Sequence, residues 1–134
     1  MPNRPIMAFI TAQYHCVSII NAARKMAEEI SSELIVLTIQ PIKVSAQSRA
    51  KSFKCLDSIS KECGVDITVC YSDNPILSLK TQALTHLPIH IFTGADNGFV
   101  SSFHREYKYA PISVVGEKVI YTIPAEYDVL KTAN

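Results

Sequence analysis

Short apolar segments alternate with amphipathic helical patterns along the chain, and this alternation constrains the fold more than any other feature of the sequence. The first segment, Ile6–Ile10, is too short for a helix and ends at polar residues, which predicts a buried strand. Apolar residues then recur at intervals of three and four, the spacing of one helix face. This first helical stripe consists of Cys16, Ile19, Ile20, Ala23, Ala27 and Ile30.

The alternation continues through the middle of the chain. Leu34–Ile39 is rich in β-branched residues and stops at Pro41, which has no N–H for a strand ladder, so it predicts a second strand. A second stripe ends at Gly64, where a left-handed C-cap is expected, and Val65–Tyr71 predicts the third strand. The second stripe consists of Ala50, Phe53, Leu56, Ile59 and Cys63.

The last third of the sequence repeats the pattern twice. Asn74 followed by Pro75 predicts a helix start, because proline lacks an N–H that the first turn would leave unpaired. Ile89–Phe92 predicts a fourth strand and Lys118–Ile123 a last one. The third stripe is Ile76, Leu79, Ala83, Leu84 and Leu87, and the fourth is Phe99, Val100, Phe103 and Tyr107.

The element order is therefore β-α-β-α-β-α-β-α-β over 134 residues, which is the length of one domain, residues 1–134. Strands that alternate with helices favour a parallel sheet with helices on both faces, because each crossover connection must be right-handed. The sequence predicts a doubly wound α/β fold with three layers, α/β/α.

Charge and hydropathy exclude several classes of partner. Thirteen basic and twelve acidic residues give a net charge of +1, which offers no field for nucleic acid or for a membrane surface. The densest basic stretch is Lys43, Arg49, Lys51 and Lys54, which is typical of a solvated helix start rather than a phosphate site. No apolar run could span a bilayer, and Met1–Pro5 lacks the pattern of a signal peptide, so we expect a cytoplasmic protein.

The cysteines and histidines indicate neither disulfides nor a metal site. The four cysteines form no C-x-x-C pair and mostly fall on helical stripes, so we expect reduced, buried thiols. The four histidines lack the spacing of metal ligands, so we expect no metal. These residues are Cys16, Cys55, Cys63 and Cys70, and His15, His86, His90 and His104.

Two stretches of the sequence carry a family resemblance. The first is Phe9–Gln13 followed by Ile19–Ala27, and the second runs from Leu56–Gly64 through Tyr71–Asn74 to Phe92–Gly94. As a set they resemble the universal stress protein family, most closely the universal-stress-like segment of potassium-responsive sensor kinases and its small stand-alone bacterial relatives. The resemblance implies a five-stranded parallel sheet in the order 3-2-1-4-5, of Rossmann-like or adenine nucleotide alpha hydrolase-like type.

The resemblance also implies a nucleotide, ATP or AMP, as a ligand. Many members hold ATP with an acidic residue after strand one and with a loop of the form G-x-x-G, nine residues, then G-S or G-T. This chain has Thr11-Ala12-Gln13 in place of the acid, and Gly94 and Gly98 are spaced G-x-x-x-G. Tyr107 and Lys108 stand where the distal glycine and hydroxyl belong. We therefore expect modest affinity for a nucleotide.

The expected ligand site lies between the loops that follow strands one and four. In the implied strand order these loops diverge at the switch point, where ligands of open α/β sheets bind. Glycine there would let a phosphate approach main-chain N–H groups, although both glycines are equally explained by a tight turn. The predicted binding residues are Thr11, Ala12, Gln13, Gly94, Asn97, Gly98, Ser101 and Ser102.

Three functions remain open on the sequence. The first is a regulatory module that binds a small anionic ligand such as an adenine nucleotide and acts in stress signalling with a protein partner, without being an efficient enzyme. The second is an interaction domain that pairs with itself or with another protein. We expect a homodimer through Lys118–Ile123, since an apolar edge strand needs covering, unless the tail Tyr127–Asn134 covers it. The third is an enzymatic activity, either weak ATPase activity or catalysis by Cys16. Cys16 is near a predicted helix N-terminus, which would favour the thiolate form, and it follows His15. Its position on the apolar stripe of the first helix favours a packing role instead.

Overall fold

A mostly parallel sheet forms the centre of the molecule in the computed structural model, which describes residues 4–95 and 98–128. Across these residues the sheet order is β3-β2-β1-β4-β5-β6; the first five strands are parallel and β6 is antiparallel to β5. The strands are β1 (Ile6–Ile10), β2 (Leu34–Gln40), β3 (Ile67–Tyr71), β4 (His90–Gly94), β5 (Ile112–Val115) and β6 (Ile120–Ile123). The doubly wound fold and the order 3-2-1-4-5 are confirmed.

Helices cover both faces of the sheet and make three layers. They are α1 (Val17–Glu29), α2 (Ala46–Cys63), α3 (Pro75–His86) and α4 (Phe99–Glu106). Alternate residues of β1 belong to two separate apolar clusters: Ala8 packs with residues of α1 and α2, and Phe9 packs with residues of α3 and α4. All five residues of β1 are buried, as expected for a strand covered on both faces.

Three helix ends follow the local signals in the sequence. Gly64 ends α2 in the left-handed conformation, with φ of 63°. The Asn74 side chain accepts a hydrogen bond of 3.2 Å from the N–H of Leu77, and Pro75 lies in the first turn of α3. Ser45 caps α2 in the same way, with its Oγ 3.1 Å from the N–H of Ser48.

The prediction of the last strand was wrong in one respect. The fifth parallel strand is Ile112–Val115, and Ile120–Ile123 folds back on it as an antiparallel sixth strand. All four residues of β5 are buried, including Ser113, whose hydroxyl lies 2.7 Å from His90 Nε2 and 2.8 Å from Thr122 Oγ1. These hydrogen bonds satisfy a polar side chain within an otherwise apolar strand, which makes its burial tolerable.

Parts of the predicted apolar stripes are solvent-exposed. In α2 the residues Leu56, Ile59 and Cys63 are buried, whereas Ala50 is exposed and Phe53 is 68% exposed. Ile30 and Leu84, from the first and third stripes, are also exposed, at 46% and 49%. Cys16 and Cys63 are buried as expected, but Cys55 and Cys70 are only half-buried, and all four thiols are free.

Candidate functional site

A cleft of about 250 Å³ opens at the carboxyl ends of β1 and β4, where the strand order reverses. Ligands of open α/β sheets bind at this position, because the connections after the two strands leave in opposite directions. The described residues that line the cleft are Phe9, Thr11, Gln13, His15, Cys16, Ile19, Thr93, Gly94, Ala95 and Phe99.

The wall that follows β1 is built by tight backbone turns. The N–H of Gln13 donates to the Thr11 carbonyl at 2.8 Å, and the N–H of Cys16 donates to the Gln13 carbonyl at 3.0 Å. One turn of 3₁₀ helix, Tyr14–Cys16, then leads directly into α1. These turns leave the side chains of Thr11, Gln13 and His15 exposed at the cleft.

The turn after β1 is also tied to α2. The Tyr14 hydroxyl donates a 2.5 Å hydrogen bond to Glu62 Oε1, and this bond, together with the nearby carboxylate charge, raises the pKa of Tyr14. The Arg24 guanidinium of α1 donates to the Cys63 carbonyl at the end of α2. These two contacts hold the 3₁₀ turn and the middle of α1 against the last turn of α2, on the side of the cleft that follows β1.

The floor of the cleft is apolar and closely packed. Cys16 is 1% exposed, and its sulfur lies 3.6 Å from the Thr11 hydroxyl. A Cβ added to Gly94 would lie 3.1 Å from Cδ1 of Ile19, so glycine lets β4 approach α1 closely. The rings of Phe9 and Phe99 stack with centroids 5.2 Å apart and make an aromatic side to the cleft.

A second, adjoining cleft extends the site toward the end of β5. It measures about 210 Å³, and it shares His15 and Ala95 with the first cleft. Its other lining residues include Ser18, whose Oγ donates to the His15 carbonyl at 2.9 Å, and Glu117. Each cleft alone is smaller than the roughly 300–1,000 Å³ of most small-molecule sites, whereas a ligand that spans both would have room.

Charge is sparse around the two clefts. Among their described lining residues His15 can carry a positive charge and Glu117 a negative one, and no lysine or arginine is present. Within residues 4–95 and 98–128 no three histidine, cysteine or acidic side chains come together as metal ligands would. The same part of the chain has no helix long and apolar enough to cross a membrane. The described lining therefore consists mainly of apolar side chains and neutral hydrogen-bonding groups.

The structure brings some of the predicted binding residues together and separates others. Thr11, Gln13 and Gly94 line the cleft, while Ala12 is half-buried and packs against the apolar core beneath α1. Asn97 lies outside the described residues. The remaining three, Gly98, Ser101 and Ser102, belong to the start of α4 and are absent from the described lining of both clefts.

The residues at the start of α4 have local structural roles. Gly98 has φ of 84°, a left-handed conformation in which a Cβ would meet no atom within 4 Å. The backbone conformation alone therefore explains this glycine. Ser102 accepts a 3.2 Å hydrogen bond from Arg105 within the same helix. Direct ligand contact by Gly98, Ser101 or Ser102 stays a prediction.

Several lining residues were not singled out for the site in the sequence. Thr93 and Ala95 flank the predicted Gly94, so the end of the fourth strand could have identified both as lining residues. His15 follows Gln13 by two residues, but only the 3₁₀ turn brings it to the cleft. Phe9 and Phe99 come together from distant parts of the chain, and no local pattern predicts that pairing.

Comparison with solved structures places the fold alongside universal stress proteins. A universal stress protein in complex with cAMP is similar at a TM-score of 0.64, with 11% identity over 85% of this chain and 98% of that chain. The universal stress protein from Archaeoglobus fulgidus in complex with dAMP gives 0.63, with 12% identity over 87% and 98%. Another structure of a universal stress protein from that organism gives 0.63, with 11% identity over 84% and 92%.

This likeness shows the fold, since identities of 11–12% do not carry residue roles from one protein to another. No family model matches the chain, and no curated protein matches it by sequence. Any inference about the ligand therefore rests on the geometry of the cleft.

Proposed function

We propose that this chain is a regulatory small-ligand-binding module of the universal-stress type, and that its cleft takes an adenine mononucleotide. The observation that carries the proposal is the cleft at the switch point, with an aromatic side formed by Phe9 and Phe99 and polar groups at Thr11, Gln13 and Thr93. Two proteins of similar fold are complexes with cAMP and dAMP, which supports an adenine nucleotide here.

The lining favours a monophosphate over ATP. The Gln13 amide and the Thr11 hydroxyl offer donors and acceptors for a base or ribose, and Phe99, which is half-buried and stacked on the buried Phe9, offers an apolar surface for the base. Of the described lining residues only His15 can supply a positive charge, so a triphosphate would gain little beyond its first phosphate. We expect AMP or cAMP to bind at least as tightly as ATP, with modest affinity.

The same lining supports a binding role rather than efficient catalysis. The Cys16 thiol is buried with the Thr11 hydroxyl as its neighbour, and nothing in the described lining would act on it as a base except His15 at the exposed rim. Hydrolysis of ATP would also need groups that stabilise charge on the transferred phosphate. We therefore propose a binding module in cytoplasmic signalling, comparable to the universal-stress-like segment of sensor kinases.

Calorimetry with matched variants tests the proposal. The purified chain is titrated with AMP, cAMP and ATP, and Gln13→Ala is compared with Gln47→Ala, which removes an exposed glutamine from the first turn of α2. We expect Gln13→Ala to weaken AMP binding by about tenfold, the cost of one or two lost hydrogen bonds, and Gln47→Ala to leave it unchanged. No heat with any of the three nucleotides at millimolar concentration would refute the proposal for nucleotides.

The second candidate function is a dimerisation domain, and the exposed outer edge of the sheet favours it. Ile120 and Tyr121 of the edge strand β6 are 58% and 52% exposed, and Val119, just before the strand, is 63% exposed. Such an edge is usually covered or paired. Sedimentation should show a homodimer that Ile120→Lys converts to a monomer; a monomeric unmodified chain at high micromolar concentration would contradict this function.

A further inference from the structure

A buried histidine, His90, lies at the opposite end of β4 from the ligand cleft. It is the first residue of the strand and is 8% exposed, whereas the cleft opens at the carboxyl ends of β1 and β4. Histidine is the side chain whose ordinary pKa lies near neutral pH, so its charge state can respond to small changes in pH. The burial of such a group outside the cleft has a consequence for the sheet.

The hydrogen bonds of His90 cross three strands of the sheet. Its Nε2 lies 2.7 Å from the hydroxyl of Ser113 on β5, and that hydroxyl lies 2.8 Å from Oγ1 of Thr122 on β6. Ser113 and Thr122 are opposite each other in the antiparallel register, so their side chains share one face of the sheet. We refer to the side chains of His90, Ser113 and Thr122 as the polar bridge.

The bridge leads from the core to a strand that has few other side-chain contacts. β6 has four residues, and across the described residues its only strand neighbour is β5. Ile120, Tyr121 and Thr122 are exposed, and Ile123 is half-buried against the core. Elements with few buried apolar contacts open more readily than the rest of a fold. The polar bridge and Ile123 therefore supply most of the side-chain contact between β6 and the sheet.

The surroundings of His90 disfavour a charge on its ring. The ring of Phe92 stacks on the imidazole with centroids 4.7 Å apart, and Ile6 lies opposite His90 in the register of β1 and β4. The neighbour that shares a hydrogen bond with Nε2 is a neutral hydroxyl, which is itself buried. Burial lowers the pKa of His90, because the imidazolium would lose its hydration without gaining a counterion.

The charged groups on the neighbouring elements do not offset this cost. β5 and β6 contain no charged residue, and their one titratable group, Tyr121, alternates with Thr122 and so lies on the other face of the sheet. None of the charges on α1, which packs over β4, or just before β1 contributes to the pKa shift of His90. These charged residues are Arg4, Arg24, Lys25, Glu28 and Glu29, and both arginines are engaged with backbone carbonyls.

We propose that the polar bridge is an acid-sensitive latch, which fastens β6 to the sheet while His90 is neutral and releases β6 from β5 when His90 is protonated. Opening of β6 takes the exposed Thr122 away from Ser113 and lets water reach the two buried groups behind it. Water then hydrates the imidazolium, which relieves the cost of the buried charge. The latch acts at the edge of the sheet and does not depend on whether the cleft binds a nucleotide.

The direction of the pKa shift sets the pH range of the latch. In the open form His90 meets water and has the ordinary histidine pKa of about 6.5, whereas in the closed form its pKa is lower. The closed form therefore binds fewer protons than the open form. Its stability is complete above about pH 6.5 and is lost as the pH falls from there toward the lowered pKa. Within that range the opening equilibrium constant rises by up to about tenfold for each pH unit.

Amide hydrogen exchange of the full chain, followed by NMR at pH 7.5 and pH 5.5, tests the proposal. The N–H of Gly116 donates to the Val119 carbonyl, so the alternation of the ladder directs the N–H groups of Tyr121 and Ile123 at β5. After correction for the intrinsic effect of pH on exchange, we expect these two amides to lose about fivefold or more of their protection at pH 5.5. The amide of Ala8 in the central strand β1 should change much less.

Variants assign the acid response to the polar bridge. His90→Gln keeps a side-chain amide that can bond to Ser113 but cannot gain a charge, so it should abolish the loss of protection at pH 5.5. His86→Gln is the matched control, because His86 belongs to the last turn of α3, and this variant should keep the response. Thr122→Val removes the outer hydroxyl and should raise exchange of the β6 amides by about fivefold at pH 7.5, the effect of one lost hydrogen bond.

Three outcomes would overturn the proposal. They are equal protection of the β6 amides at the two pH values, an equal loss of protection in β6 and β1, and an acid response that persists in His90→Gln. If His90→Gln does not fold, a pH titration of the unmodified chain decides instead. The chemical shifts of the Tyr121 and Ile123 amides should then change with the same midpoint as the His90 ring, below pH 6.5, and a different midpoint contradicts the latch.

Discussion

The helices α1 and α2 cover the same face of the sheet, but they pack against it very differently. α1 buries Ile19, Ile20, Ala23 and Ala27 along its length, whereas α2 has buried residues only from Leu56 onward. Both polar contacts that tie α2 to the region of α1, through Glu62 and Cys63, also lie in its last turn. The comparison teaches that apolar periodicity identifies the face of a helix that can pack, while the tertiary arrangement decides how much of that face is covered.

The largest expected effect is a difference in protein stability between substitutions on the apolar stripe of α1 and substitutions on that of α2. Ile20 is fully buried, so Ile20→Ala should lower the free energy of unfolding by about 2–5 kcal/mol. Phe53 is on the stripe of α2 but exposed, so Phe53→Ala should change it by less than about 0.5 kcal/mol. Urea denaturation measures both, and a loss at Phe53 comparable to that at Ile20 would show that the first half of α2 is packed.

The buried and the half-buried cysteines should differ in their rate of reaction with a thiol reagent. Cys16 and Cys63 are buried beneath α1 and α2, while Cys55 is half-buried on α2. Burial also raises the pKa of the Cys63 thiol, although the charge of Arg24 opposes the shift, so less reactive thiolate forms at a given pH. Peptide mapping after alkylation at pH 8 should show Cys55 labelled roughly a hundredfold faster than the two buried thiols.

Rapid labelling of Cys16 in the folded protein would contradict this prediction. It would also revive the alternative of a catalytic thiol in the cleft, since Cys16 lies beside the Thr11 hydroxyl at the floor. A variant with Cys16→Ser controls for labelling at the other positions.

Most of the fold could be predicted because its signals are local. The helix caps at Asn74 and Gly64 and the apolar run of β1 depend on residues close in sequence. The strand Ile112–Val115 was missed because it follows Tyr109 and Pro111, which end the fourth helix, and because the longer alternating run Lys118–Ile123 gives the clearer strand pattern. Its length alone was not the obstacle, since Ile89–Phe92 is equally short.

The candidate site could be predicted in position but not in composition. The strand ends, together with the strand order that the family resemblance implies, define the switch point, and Thr11, Gln13 and Gly94 do line the cleft at that position. The aromatic pair of Phe9 and Phe99 depends on the way α4 packs across the sheet. For the same reason the exposure of Phe53 could not be read from its stripe.

A smaller effect is expected from the glycines that end α2 and begin α4. Gly64 and Gly98 have φ of 63° and 84°, and a Cβ at either would meet nothing within 4 Å. Gly64→Ala and Gly98→Ala should therefore each cost about 1–2 kcal/mol through backbone strain alone. Equal melting temperatures for both variants and the unmodified chain would mean that the backbone at these positions adopts another conformation without loss of stability.

The smallest effect should come from the cap of α2, and it tests the comparison of the two helices most directly. Ser45→Ala removes the acceptor for the N–H of Ser48, and Asn74→Ala removes the corresponding acceptor for Leu77 in α3. Loss of a cap costs about 0.5–2 kcal/mol, and the higher values require that fraying also exposes packed residues. The first turns of α2 bury nothing, whereas Leu79 is buried in the second turn of α3. We therefore expect Ser45→Ala to cost about 0.5 kcal/mol and Asn74→Ala about twice as much, measured by urea denaturation. If Ser45→Ala costs as much as Asn74→Ala, the start of α2 contributes to the packed core, and the two helices differ less in packing than their buried residues indicate.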